Sequence, residues 1–179
     1  FYYGANNTRY GTEWKYIPDT GDVPIVCDMS SNIMSKPVDV SKYGIIFAGA
    51  QKNIGPAGVT LVIIRGDLLG KELPCTPTML SYKTMVEKDS MHNTPPCYNI
   101  YILGLVLKWI DSMGGLEAME KLRVERAKIL YDFLDESKLF KSPVRPDSRS
   151  DMNVTFVTGN EALDKQFIKE AEANGFVNL

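Results

Sequence analysis

Three short apolar runs constrain this chain most: "VPIVC" at 23–27, "GIIFAGA" at 44–50 and "VTLVIIR" at 59–65. A strand wetted on one face alternates apolar and polar residues. Runs without that alternation suit strands covered on both faces, as in a sheet flanked by helices. They predict an α/β fold. Only "QKNIGPAG" separates the second run from the third, and its Gly55, Pro56 and Gly58 require a tight loop. That return is too short for a crossover helix, so the third strand should run antiparallel and the sheet should be mixed.

The remaining segments organise around this sheet. Residues 1–5 read as a strand stub and "NNTRYG" as a loop. Residues 66–96 carry Pro74, Pro77, Pro95 and Pro96 and little periodicity, so they read as a long irregular segment, a feature often tied to function. A helix is predicted from about Tyr98 to Met113, with Leu103, Leu107 and Ile110 on one face and Gly114 and Gly115 ending it. "LEAMEKLRVERAKILYDFLDES" predicts a long amphipathic helix with Met119, Leu122, Ile129 and Phe133 among its apolar residues. "KSPVRPDSRSD" reads as a linker. Beyond it, "MNVTFVT" predicts a strand and "EALDKQFIKEAEANGF" a helix. The division expected is 1–113 for part of a large domain, 114–147 for a connecting helix and linker, and 148–179 for the start of a small α+β domain.

Composition excludes several classes. A net charge of −2 offers no footprint for nucleic acid. No apolar run is long enough to span a bilayer as a helix; the longest, "YNIYILGLVLKWI", is interrupted by Lys108. Three cysteines, Cys27, Cys75 and Cys97, lack metal-type spacing, and their odd number argues against a disulfide framework and for a reducing compartment. With His92 the single histidine, a histidine-based metal site is not expected. The chain opens on "FYYGANN", as if a strand were already under way, and closes on "ANGFVNL", the approach to another, so a piece of a longer protein is expected.

Two of the apolar runs end on a single charge. Asp28 follows "VPIVC", and Lys52 follows "GIIFAGA" and Gln51. Each alone has a bland explanation: Asp28 as a cap for the next segment, Lys52 as a loop lysine with its amine in water. Strand C-terminal ends are also where α/β sheets place ligand contacts. An amine and a carboxylate on neighbouring strand ends match what pyridoxal phosphate needs: a lysine for its aldehyde and an acid for its ring nitrogen. Many folds place an Asp and a Lys so, and the spacing alone leaves the matter open.

Two long stretches, "VCDMSSNIMSKPVDVSKYGIIFAGAQKNIGPAGVT" and "HNTPPCYNIYILGLVLKWIDSMGG", with the loop "GANNTRYG", resemble the phosphoserine aminotransferases. These are fold-type I pyridoxal-phosphate enzymes of class V. The resemblance runs over essentially the whole chain. It implies part of a large domain with a mixed, mainly parallel sheet and flanking helices, plus the start of a small α+β domain. It implies Lys52 as the imine-forming and catalytic residue and Asp28 as the partner of the ring nitrogen. Thr8 would donate toward the cofactor's phenolic oxygen and Gln51 would contact its phosphate. Asn93 and Thr94 would reach across a homodimer interface to the phosphate held by the partner subunit. Without the resemblance, Thr8 would be a turn hydroxyl and Asn93 the start of a turn before Pro95.

The implied reaction exchanges an amino group between glutamate and 3-phosphohydroxypyruvate, giving phosphoserine and 2-oxoglutarate, in a cytoplasmic enzyme. The rivals are another transaminase of the fold, such as an alanine–glyoxylate type, a cysteine desulfurase, and a non-catalytic remnant. The family's full chain is about twice this length, so the isolated 179-residue chain is expected to be inactive.

Overall fold

The computed structural model describes residues 1–177. In chain order it contains β1 (Tyr2–Gly4), β2 (Asn6–Asn7), β3 (Thr12–Glu13), β4 (Val26–Asp28), β5 (Ile45–Gly49), β6 (Thr60–Ile64), α1 (Tyr82–Glu87), α2 (Cys97–Ser112), α3 (Gly115–Glu136) and α4 (Glu161–Ala173). The chain divides into two compact units. One comprises residues 1–6 and 16–121, the other residues 7–15 and 122 onward.

The first unit is built on a four-stranded sheet of order β1-β4-β5-β6. The strands β1, β4 and β5 are parallel, and β6 returns antiparallel beside β5. The unalternating runs thus form a mixed sheet, as they and the short return after β5 predict, and it is mainly parallel, as the resemblance implies. In β5, Ile46 and Ala48 are buried while Ile45, Phe47 and Gly49 are half-buried. Neither face is fully wet, which explains why polar residues are missing from the run. The core gathers Cys27, Met29, Ile33, Ile46, Ala48 and Ile54. Burial pushes the Cys27 thiol up to about 11. The hydroxyls of Tyr3 and Tyr43 lie 3.4 Å apart in the same core, and burial raises both phenols above their ordinary value.

After β6 the chain is largely irregular, as its prolines predict, with α1 as a short helix whose N-cap is Ser81. The helix α2 turns Leu103, Leu107 and Ile110 inward, as expected from their spacing. Its other side carries Tyr98, Tyr101 and Trp109, all more than half exposed.

The second unit has a different character. The helix α3 buries Ala127, Tyr131 and Leu134. Two of the apolar residues singled out from sequence, Ile129 and Phe133, are 71% and 57% exposed. The helix is correct but the inward face is rotated from that pair. An apolar stripe identifies an amphipathic helix, yet a stripe this wide does not say which part meets the core. The predicted strand at 152–158 is also absent: the segment is extended but makes only an isolated antiparallel bridge from Lys141 to Val157. A strand needs a partner ladder along its length, and one bridge does not supply it.

Aromatic edges and charges hold this unit together. Phe140, Phe156 and Phe167 meet edge-to-face with centroids 5.0–5.8 Å apart. The Glu13 carboxylate on β3 is fully buried between Arg123, at 3.2 Å, and Lys15, at 3.1 Å. Asp151 joins the group, 2.8 Å from Lys15 and 3.3 Å from Arg123. Gly11 has φ +66°, and a Cβ there would fall 2.5 Å from Thr155 Oγ1 and 2.7 Å from the Asn153 carbonyl. Glycine is thus required where this turn packs on the 150s segment. Arg149 stacks over Tyr131 at 4.6 Å and grips Asp135 with both terminal nitrogens. That grip holds the Asp135 carboxyl below its usual range. The helix α4 starts on an Asn160 cap, whose Oδ1 accepts the Ala162 and Leu163 N–H groups.

Candidate functional site

Asp28 is the last residue of β4. In the register it stands opposite Gly4 of β1 and Phe47 of β5. The peptide that follows it is held on both sides by the sheet: the Ala5 N–H donates to the Asp28 carbonyl at 2.9 Å, and the next N–H, of Met29, donates to Phe47 O at 2.9 Å. Its side chain is half-buried, and Oδ1 accepts the Ser30 N–H at 2.8 Å. This is a short-range Asx turn, which fixes the carboxylate where the strand opens into its loop. Among the described residues no cation pairs with it. One oxygen is oriented by the backbone, and the group keeps its capacity to accept from a further donor.

Lys52 lies in the connection from β5 to β6. The N–H of Ala50 closes this connection on Val59 O at 2.9 Å, and the N–H groups of Ile54 and Gly55 both donate to Ala50 O. Ile54, 1% exposed, plugs the loop into the core. Lys52 itself is exposed, between buried Ala50 and buried Ile54. The strands β4 and β5 are parallel neighbours, so Asp28 and the loop bearing Lys52 emerge from the same edge of the sheet. That edge is where ligands enter open α/β folds.

Gln51 folds back onto its own strand. A Cβ on Gly49 would meet its amide at 2.7–2.8 Å, so the missing side chain at 49 makes room for it. The helix α2 closes over the loop from above. Leu103 packs 3.4 Å from where a Cβ of Gly55 would stand, and Asn99 donates to Ala57 O beside Gly58, whose φ is +113°.

The other residues expected at a site lie elsewhere in the chain. Asn93 and Thr94 belong to the first unit, are exposed, and precede α2. The Asn93 amide donates to Thr94 O at 3.3 Å, and no hydrogen bond links either to Asp28 or Lys52. Thr8 belongs to the second unit, on the loop between β2 and β3. That loop is pinned by Asn7 Oδ1, which accepts the N–H groups of Arg9 and Tyr10 at 3.0 and 2.9 Å.

Reasoning from sequence missed three residues around the site. Ser30, Asn53 and Asn99 make side-chain hydrogen bonds that hold the loops bearing Asp28 and Lys52. The "DMS" pattern at 28–30, an Asp two residues before an available N–H, signals the Asx turn. Nothing local signals the other two, whose partners are 20 and 42 positions away.

Among the described residues no helix is long and apolar enough to cross a membrane, and no cluster of His, Cys, Asp and Glu could hold a metal ion.

Comparison with known proteins agrees with this fold. The model of the class-V aminotransferases matches residues 1–174. A phosphoserine aminotransferase of Lysinibacillus sphaericus strain C3-41 is 55% identical over 98% of this chain and 49% of its own length. The solved phosphoserine aminotransferase of Bacillus circulans subsp. alkalophilus superposes with a TM-score of 0.95 at 46% identity, over 99% of this chain and 50% of that one. A PLP-bound phosphoserine aminotransferase from Trichomonas vaginalis gives 0.93 at 37% identity, over 100% of this chain and 51% of that one. The chain spans about half the length of the curated relatives it matches. With the family model covering nearly every residue, the chain belongs to the class-V aminotransferases.

Proposed function

We propose that this chain carries the lysine and the acid that anchor pyridoxal phosphate in a phosphoserine transaminase. The parent protein would exchange an amino group between glutamate and 3-phosphohydroxypyruvate, giving phosphoserine and 2-oxoglutarate. One observation carries the reading. Asp28, oriented by Ser30 and paired with no cation among the described residues, leaves the sheet at the same edge as the Lys52 loop. A half-buried carboxylate with spare acceptor capacity fits a protonated pyridine nitrogen, because a charged group withdrawn from water needs a partner.

When bound, the cofactor withdraws electrons from the substrate's α-carbon. The chain's own residues do the rest. Asp28 holds the proton on the ring nitrogen by charge. Lys52 Nζ would hold the cofactor by its aldehyde at rest. When free, the Lys52 amine would take the proton from the substrate's α-carbon and return it to the carbon on the far side of the substrate nitrogen, two bonds away. Gln51, tucked over Gly49 at the same loop, is the proposed phosphate contact on this chain. Thr8, Asn93 and Thr94 are proposed contacts on the strength of the resemblance to the family.

A homodimer in the cytoplasm completes the proposal. Within the first unit Leu73, Leu80, Met91, Tyr98 and Tyr101 are each more than 60% exposed. Large apolar surface of this kind marks protein interfaces, and Asn93 and Thr94 sit within that segment. Cys75 and Cys97 are exposed free thiols, which suits a reducing compartment.

The full-length parent protein tests the reading. Borohydride reduction should fix the cofactor on Lys52, located by peptide mass. Lys52→Ala should lose that adduct and the transaminase turnover together. Asp28→Ala should keep the adduct while losing about a hundredfold or more in rate. An adduct on another lysine, or turnover retained in Lys52→Ala, would remove the proposal.

A further inference from the structure

The loops bearing Asp28 and Lys52 are joined by two hydrogen bonds that the reaction just described does not use. Ser30 Oγ accepts the Gly49 N–H at 3.0 Å. This ties the second residue after β4 to the last residue of β5, three positions before Lys52. On the other side of the lysine, the Asn53 amide donates to the backbone carbonyl of Ile33. The lysine is thus bracketed, with Gly49 held before it and Asn53 after it, and both ties end on the 29–35 loop that starts at Asp28.

Ser30 has a second role. Its own N–H orients Asp28 Oδ1 at 2.8 Å, so one residue holds the carboxylate by its backbone and the lysine's strand by its hydroxyl. The 29–35 loop is itself firmly seated. Ile33 is 4% exposed in the core. Ser31 Oγ exchanges hydrogen bonds with Asn6, accepting from its amide at 2.8 Å and donating to its carbonyl at 3.0 Å. A fixed loop of this kind can transmit position to whatever is tied to it, because packed interiors do not deform continuously.

We propose that Ser30 and Asn53 are positioning residues that set the Lys52 amine against the Asp28 carboxylate. Neither touches substrate or cofactor in this scheme; each acts through the backbone on either side of the lysine. The inference rests on the reading of Lys52 and Asp28 above. Close positioning of this sort governs reactivity, since displacement by about 1 Å can lower a rate a hundredfold.

The experiment uses the full-length parent protein loaded with pyridoxal phosphate, with Ser30→Ala, Ser30→Thr and Asn53→Ala. Two readouts besides activity are taken: amide hydrogen exchange at Gly49 and the loop following it, and the pH midpoint of the cofactor's visible absorbance. Ser30→Ala should speed Gly49 exchange about tenfold and move the midpoint by about half a unit. Ser30→Thr, which keeps the hydroxyl, should restore both. Asn53→Ala should move the midpoint while leaving Gly49 exchange as in the parent, and it stands as an independent test if Ser30→Ala does not fold. Faster exchange with an unmoved midpoint in both alanine variants would reduce the two ties to ordinary loop stability and overturn the proposal. Unchanged exchange in a folded Ser30→Ala would overturn the Ser30 tie itself. A parent protein with no cofactor absorbance and no borohydride adduct on Lys52 would instead overturn the reading of the lysine, and this inference with it.

Discussion

The two units of this chain reach stability by different routes. The first is organised by a backbone ladder: three parallel strands and one antiparallel strand, with Ile46, Ala48, Cys27 and Ile54 sealed inside. Among the described residues the second contributes no strand to that sheet. It relies on a buried acid between two bases, a stacked arginine, three phenylalanine edges and a capped helix. A ladder satisfies polar backbone groups in a repeating way and so exposes its strand ends as regular, addressable positions. Side-chain networks satisfy groups one at a time. The candidate chemistry follows this difference, since Asp28 and the Lys52 loop emerge from the ladder's edge.

The contrast can be broken at its strongest point first. In the first unit Ile46→Ala opens a cavity at a residue 1% exposed. It should cost roughly 4 kcal/mol in urea unfolding, with little dependence on salt. In the second unit Glu13→Gln removes the buried negative charge between Arg123 and Lys15, the two cations that also face Asp151. It should cost roughly 3 kcal/mol. Cost is sharpened into mechanism by the double variant Glu13→Gln with Arg123→Met, which should recover most of that loss because no uncompensated buried charge remains. Equal salt response in both units, or no recovery in the double variant, would erase the distinction.

A smaller effect should appear in alkali and belong to the first unit. Burial raises the Cys27 thiol to about 11 from an ordinary value of 9. The folded state therefore favours the protonated thiol more than the unfolded state does. That contribution is complete below pH 9 and is lost as pH climbs from 9 toward 11. The change should amount to no more than about 2 kcal/mol. Cys27→Ala should flatten the decline over this window, measured by chemical denaturation at stepped pH, and an unaltered profile would discard the assignment.

How much of this was readable beforehand depends on sequence distance. The strands, the antiparallel return after "QKNIGPAG" and the inward side of α2 are local patterns, and each forms as its pattern predicts. Asp28 and Lys52 were visible because each interrupts an apolar run. Ile129 and Phe133 show the limit: their spacing is helical, but their exposure depends on what α3 packs against. The strand expected at 152–158 shows another, since β-propensity without a neighbouring ladder yields only the Lys141–Val157 bridge. Ser30 was within reach through its Asx-turn spacing. Asn53 was not, because its partner, the Ile33 carbonyl, belongs to a loop 20 residues upstream.

By itself, then, the order of residues determined where strands and helices arise, that the sheet is mixed, and which two charges punctuate it. Those properties come from hydrophobic periodicity and turn chemistry, which act within a few residues. Only the folded structure decided that β4 and β5 are parallel neighbours, that the segment 7–15 joins the C-terminal unit through Glu13 and Arg123, and that Ser30 and Asn53 bracket the lysine. Each of these depends on contacts between residues distant along the chain, whose loop-closure cost is met only when the whole core assembles.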